Sequence, residues 1–216
     1  MKLHRFYTPH IEDTFTVDNV DQIHQWKKVF RMKTGEKAIF FDGSGYEFLC
    51  EFTNLDKDFA EIQVLEKTER PSLKPLTLAI SIPKKDNFEL IIEKATELGV
   101  TTIIPLISER TEKKNVNMER ARKIALEASE QSGRVTIPEI YEPVVLQNFN
   151  LAGVVLDPRG EKREITENVL IIGPEGGWSE KEIEYFKSKN LPVVSLGEQV
   201  LRVETAAIAV IAKLLL

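Results

Sequence analysis

Between Pro71 and Pro75 the hydrophobic rhythm of this chain changes, and that change limits the possible fold more than any other feature. Ahead of it, short runs rich in aromatic and β-branched residues alternate with turn residues. Lys37 to Phe41, Tyr46 to Phe52 and Phe59 to Leu65 read as strands. Asp42-Gly43-Ser44-Gly45 supplies a hairpin turn between the first two, and Asn54 to Asp58 supplies another. Strands joined so closely make a meander or a small barrel. A helix before them places Ile23, Trp26 and Phe30 on one face.

Beyond the prolines the pattern alternates between apolar strand and amphipathic helix. Leu76 to Ile82, Thr102 to Ile107, Val154 to Leu156, Val169 to Ile172 and Val193 to Leu196 are strand runs. Asp86, with Glu89 three residues on, is the expected cap of a helix whose apolar face carries Phe88, Ile91, Ile92, Ala95 and Leu98. Gly99 ends it. A second helix from about Asn117 to Ser132 turns Met118, Ala121, Ala125 and Ala128 inward and stops at Gly133. An alanine-rich helix from about Val203 finishes the chain. Continuous apolar strands separated by such helices indicate a parallel α/β sheet covered on both faces.

Composition narrows the chemistry. Net charge is −5, which argues mildly against non-specific nucleic-acid binding. Locally the balance reverses: Lys27, Lys28, Arg31, Lys33 and Lys37 form one basic run, and Arg110, Lys113, Lys114, Arg120, Arg122 and Lys123 another. Each reads either as a phosphate-binding surface or as a solvated face. One cysteine, Cys50, supports neither a disulfide framework nor a zinc cluster, and His4, His10 and His24 lack metal-ligand spacing, so no metal is expected. The opening Met1-Lys2-Leu3-His4-Arg5 lacks the apolar run of a signal peptide, and no apolar stretch is long enough to span a bilayer. A cytoplasmic, membrane-free protein is the expectation.

Three segments point to a site. Ile171 to Ser179 runs from a strand into Gly173-Pro174-Glu175-Gly176-Gly177, and Ser179 with Glu182 forms a capping box for the next helix. Such glycines let backbone approach a ligand, or serve a structural turn. The loop fits neither the GxGxxG nor the GxxxxGK[ST] pattern. Ser195 to Ala206 repeats the strand, loop and helix-start layout, and Arg202 offers donors suited to a phosphate or carboxylate. Glu127 to Arg134 ends a helix in polar residues.

Taken in order, Lys94 to Val100, Pro105-Leu106 with Ser108-Glu109-Arg110, Glu130 to Arg134, Gly173 to Gly177 and Leu201 to Ala206 closely resemble the RsmE-type 16S ribosomal RNA methyltransferases, as does the opening His4-Arg5-Phe6-Tyr7. The resemblance implies a SPOUT-superfamily α/β domain with a trefoil knot over residues 73–216, preceded by a PUA-like β-barrel that binds RNA over residues 1–72. It implies a homodimer that methylates N3 of uridine 1498 of 16S ribosomal RNA, in the small ribosomal subunit, with S-adenosyl-L-methionine as donor. The donor pocket would comprise Pro105, Leu106, Gly173, Pro174, Glu175, Gly176, Gly177, Leu196, Gly197, Leu201, Thr205 and Ala206. Arg5, Lys27, Lys28, Arg31, Arg110 and Arg134 would meet RNA. This chain departs from the family at Glu198 and Gln199, where proline and a basic residue are more usual.

Uridine N3 carries a proton at neutral pH, and the carboxy-terminal half of the chain has no histidine to remove it. Arg202 is the expected stabiliser of developing negative charge, with Glu130 and Glu204 as the carboxylate candidates. A non-catalytic RNA-binding factor, a ribose or transfer-RNA methyltransferase, and a dinucleotide enzyme stay open as alternatives.

Overall fold

A computed structural model of the chain describes residues 3–150 and 152–216, so Met1 and Lys2 of the amino-terminal reading lie outside the described residues. The chain divides into two compact units. One comprises the sequence up to Ser72 with Ser129–Thr136, and the other comprises Leu73–Ala128 with Ile137–Leu216.

The first unit is built on a five-stranded sheet of β1 (Arg5–Tyr7), β2 (Thr14–Val17), β3 (Lys37–Phe41), β4 (Tyr46–Leu55) and β5 (Ala60–Glu69), in the order β1-β3-β4-β5-β2. The β3-β4-β5 meander is antiparallel, as its turns require. Gly43 and Gly45 both adopt positive φ in the first turn. Strands β4 and β5 run several residues beyond the expected stretches, because each pairs with the other along most of its length. Strands β1 and β2 carry too few residues to show a period, and tertiary pairing creates them. The expected helix is present as α1 (Val20–His24), capped by Asn19, whose side chain accepts the Gln22 N–H. It continues into a wider turn, Gln25–Val29, closed by a bond from Phe30 N–H to the Gln25 carbonyl five residues back. Ile23 and Trp26 are fully buried against Phe6, Phe40 and Phe52. Trp26 meets these three rings at centroid distances of 5.3, 5.7 and 5.2 Å.

The second unit is a parallel sheet of β6 (Thr77–Ser81), β7 (Thr102–Ile107), β8 (Glu139–Ile140), β9 (Val144–Val145), β10 (Val154–Glu161), β11 (Val169–Ile172) and β12 (Val193–Val194). The order is β12-β10-β11-β6-β7-β8, with β9 also on β7. Alternation along each strand feeds two separate cores. Leu78 and Ile80 face α2 (Lys85–Leu98), α3 (Met118–Ser132) and α5 (Val203–Leu215). Ala79, Val155 and Ile171 face the other way, toward Ile183 and Phe186 of α4 (Glu180–Ser188). Burial on both faces explains why these strands are continuous apolar runs.

One local expectation is corrected. The cap of α2 is Lys84, not Asp86, and no side chain caps it. A distant acceptor takes the place of the capping box: the Lys84 N–H donates to Glu175 Oε1 at 3.0 Å. Glu89, freed from that part, accepts from Arg120. Gly99 closes the helix at φ +106, as its position in sequence indicates.

Candidate active site

The middle of β10, where its register against β12 shifts, and the carboxyl ends of β11 and β12 open onto one cavity of about 570 Å³. Its walls are Leu156, Asp157 and Pro158 of β10, the loop after β11 (Gly173, Pro174, Glu175, Gly177, Trp178) and the stretch from β12 into α5 (Val194, Ser195, Leu196, Gln199 to Glu204, Ala206), with Lys84 and Asn87 at the start of α2. That volume lies within the range of about 300–1,000 Å³ usual for small-molecule sites. Strand ends in a parallel sheet are where ligands meet unpaired backbone groups.

The glycine loop is held from several directions. Within it the Gly177 N–H bonds the Pro174 carbonyl at 2.8 Å, and Gly177 sits at φ +66. Its far end is the capping box of α4: Ser179 N–H donates to Glu182 Oε2 at 2.8 Å, and Glu182 N–H to Ser179 Oγ at 3.3 Å. Glu182 is buried, and its other oxygen accepts the Glu109 N–H at 2.8 Å. Ser179 Oγ donates to Glu109 Oε2 at 2.7 Å. Arg110 Nη1 holds the Gly176 carbonyl at 2.7 Å. The loop after β7 therefore braces the glycine loop. The indole of Trp178 is buried, donates to the Leu156 carbonyl at 3.1 Å and packs edge-on against Phe186. A Cβ on Gly173 would come to about 3.0 Å from that indole, so a side chain there would press on the buried ring.

The β12–α5 wall is turned by Ser195, whose Oγ donates to the Gly197 carbonyl at 2.8 Å. Arg202 is the cap residue of α5, is exposed, and makes no ion pair among the described residues. Glu204 follows in the first turn, where the helix dipole favours a negative charge. Its Oε2 is buried and has no hydrogen-bond partner among the described residues.

Of the residues expected to form the pocket, Gly173, Pro174, Glu175, Gly177, Leu196, Leu201 and Ala206 line the cavity, together with Arg202 and Glu204. Pro105 and Leu106 are buried in β7, paired with Ile80 and Ser81, and are not on its wall. Gly176 and Gly197 belong to the same loops and Thr205 to the first turn of α5, and all three are off the lining. Glu130 lies in the first unit, where its Oε1 accepts the Tyr7 N–H at 2.9 Å and ties the end of α3 to β1. Among the basic residues, Lys28, Arg31 and Arg110 are exposed and Lys27 is half-buried, its Nζ on the Leu55 carbonyl at 3.3 Å. Arg5 is engaged with Glu47 at 3.0 Å. Arg134 is buried, with its guanidinium on Thr136, and burial pushes its pKa down to about 10.

Sequence reasoning passed over Asp157, Pro158, Trp178, Lys84 and Asn87. Asp157 and Pro158 lie inside β10, just past the apolar run Val154 to Leu156, and the break in that run is the signal that could have marked them.

Comparison with known proteins now bears on the site. A family model described as an RNA methyltransferase domain matches residues 69–215, and one described as an RNA methyltransferase PUA domain matches residues 20–65. The ribosomal RNA small subunit methyltransferase E of Rickettsia conorii is 36% identical over 207 residues, covering 88% of this chain and 85% of that protein. That of Bacillus subtilis is 30% identical, covering 89% and 86%. Among solved structures, the same-named enzyme of Neisseria gonorrhoeae, bound to S-adenosyl methionine, superposes with a TM-score of 0.87 at 32% identity and covers 98% of this chain and 96% of its own. A putative methyltransferase of Legionella pneumophila, in complex with the same cofactor, gives 0.87 at 28% identity, covering 99% and 97%.

Proposed function

Because this chain belongs to the ribosomal RNA small subunit methyltransferase E family, we propose that its cavity holds S-adenosylmethionine and that it methylates N3 of uridine 1498 in 16S ribosomal RNA. The fold is the SPOUT type of α/β domain with a PUA-like β domain ahead of it. The observation that carries the reading is the cavity at the strand ends, walled by a glycine loop whose Gly173 lies close against the buried Trp178 indole. That close backbone wall suits a ligand held by backbone groups.

When bound, S-adenosylmethionine supplies an electrophilic methyl group. The chain's own residues bind, orient and handle the proton. Gly173 to Gly177 present close backbone, and Leu196, Leu201 and Ala206 add apolar walls that exclude water. The Arg202 guanidinium stabilises negative charge as it grows on the uracil carbonyl. Glu204, on the cavity wall, accepts the N3 proton. Glu130, already committed to Tyr7, anchors the end of α3.

We assign RNA binding to residues 1–72, with Lys27, Lys28 and Arg31 as phosphate contacts that position without choosing the base, and methyl transfer to residues 73–216. Arg110 adds a contact beside the cavity, while Arg5 is paired with Glu47 and Arg134 is buried on Thr136. A trefoil knot and a homodimer belong to the same proposal. The return of the chain from β11 past β10 to β12 supports the first, and exposed Val200 and Leu201 support the second. The working place is the cytoplasm, where ribosomes are; among the described residues no helix is long and apolar enough to cross a membrane.

The test is to incubate the protein with S-adenosylmethionine and small ribosomal subunits from cells lacking the modification, then digest the RNA and identify the product by mass spectrometry. N3-methyluridine at that single position is the expected product. Ribose methylation, or none, would overturn the assignment.

A further inference from the structure

Arg159, in the second half of β10, ties that strand to the end of the glycine loop. Arg159 Nε and its own backbone N–H both donate to Asp157 Oδ1, at 2.7 and 2.9 Å. Arg159 Nη2 donates to Asp157 Oδ2 at 2.9 Å and also to the Trp178 carbonyl at 3.0 Å. Nη1 reaches Glu180 at 2.6 Å, in the first turn of α4. Asp157 and Trp178 line the cavity; Arg159 does not.

An exposed ion pair contributes little in water, because its charges are well solvated apart. This one differs in two ways. The Asp157 side chain is only 3% exposed, and the guanidinium grips it through both oxygens. Burial works against ionisation of Asp157, but the hydrogen bonds and charge of Arg159 outweigh it and hold the carboxyl below its ordinary range. The charged pair is therefore the resident state, and its fork has a fixed direction. That direction aims Nη2 at the carbonyl joining Trp178 to Ser179, the residue where α4 is capped and the glycine loop ends.

We propose that Arg159 is a positioning residue for the methyl-donor site, a clasp that sets the distance between the β10 wall and the glycine wall through Asp157 and the Trp178 carbonyl. The proposal rests on the reading that the cavity takes S-adenosylmethionine. A site built from backbone groups has no side-chain rotamers with which to recover from a shifted wall, so geometry must be imposed from behind. Trp178 transmits it: its carbonyl is held by Arg159, while its indole is held by the Leu156 carbonyl and lies over Gly173.

The test compares the full-length protein with Arg159→Ala, Arg159→Lys and Arg163→Ala, measuring S-adenosylmethionine binding by titration calorimetry. Fluorine spectra of 5-fluorotryptophan-labelled protein are recorded alongside, with Trp26 as the internal reference. Arg163 pairs with Glu161 and Glu167 just beyond, away from the cavity lining, and controls for loss of any ion pair. Arg159→Ala is expected to raise the donor Kd about tenfold, equivalent to about 1.4 kcal/mol. It should shift or broaden the Trp178 resonance and leave Trp26 in place. Arg159→Lys should recover only part of the affinity, since a single ammonium cannot span Asp157 and the carbonyl together, and it carries the test if the alanine variant fails to fold. Arg163→Ala should bind as the parent does. Unchanged Kd and an unmoved Trp178 signal in Arg159→Ala, or equal weakening in Arg163→Ala, would overturn the clasp. Failure of the parent protein to bind S-adenosylmethionine would overturn the donor reading instead, with the fluorine spectra still deciding whether Arg159 fixes Trp178.

Discussion

Glu204→Gln should make the ligand-free protein more stable and the enzyme nearly inactive. Oε2 of Glu204 is buried and unpartnered among the described residues. Leaving a buried polar group unsatisfied costs about 1–3 kcal/mol, and more when it is charged. Against that, a negative charge in the first turn of α5 gains about 0.3–1 kcal/mol from the helix dipole. Glutamine leaves the same position unpaired but uncharged, so only the extra cost of the charge, less the dipole gain, separates the two, about 1–2 kcal/mol in favour of the amide. For a chain of this length each kcal/mol moves Tm by about 2–4 °C, so scanning calorimetry should find the variant higher by about 2–8 °C. Loss of a general base costs about 10²–10⁴ in rate, so turnover on ribosomal subunits should fall at least about a hundredfold. Binding of S-adenosylmethionine should persist, since the glycine wall is untouched. A fall in Tm with retained turnover would show that Glu204 serves the helix and not the chemistry. Rising stability with lost function is the pattern expected where a site holds a group in an environment the fold alone would not choose.

Gly160→Ala should loosen the sheet edge behind the cavity. A Cβ there would fall at about 2.6 Å from the Val193 carbonyl and the Val194 nitrogen, so β12 must move off β10; urea denaturation should show a loss of about 1–3 kcal/mol. A denaturation midpoint matching that of the parent would refute the close approach. Cys50 is buried and its thiol is pushed up to about 12 by that burial. Because the folded value lies above the unfolded one, the contribution to stability is present below about pH 9 and is lost as pH rises toward 12. Iodoacetamide at pH 8 should therefore leave the folded protein unlabelled and add one adduct in denaturant, and rapid native labelling would contradict this. Asp157 has the opposite sign: its carboxyl is held low, so its contribution is present above the usual carboxylate pKa of 3.8 and is lost as pH falls through the lower folded value. Asp157→Asn should flatten that acid limb of the stability curve, and an unchanged limb would remove the Arg159 pair from the account.

Much of this protein is legible along the chain because local physics decides it. Thr102 to Ile107 and Val169 to Ile172 are strands as their apolar runs indicate, since a strand buried on both faces has no polar positions. Gly99 stops α2, and the reciprocal bonds of Ser179 and Glu182 open α4, because both motifs are satisfied within a few residues. The ordered motifs likewise point to two stretches, and all of Gly173 to Gly177 but Gly176, and all of Leu201 to Ala206 but Thr205, line one cavity. What only the tertiary structure decides are the partnerships between distant residues. Glu175 accepts the Lys84 N–H at the start of α2 from far along the chain, and the local Asp86 signal is overruled. Glu130 finds Tyr7, while Pro105 and Leu106 turn into the sheet core. Asp157 and Arg159 look unremarkable in sequence, because a two-residue spacing gives no hint that their guanidinium will meet the carbonyl of Trp178. Periodicity reports which face a residue shows to the core. It carries no information about which remote atom completes a hydrogen bond there, and the walls of this cavity are assembled from bonds of that kind.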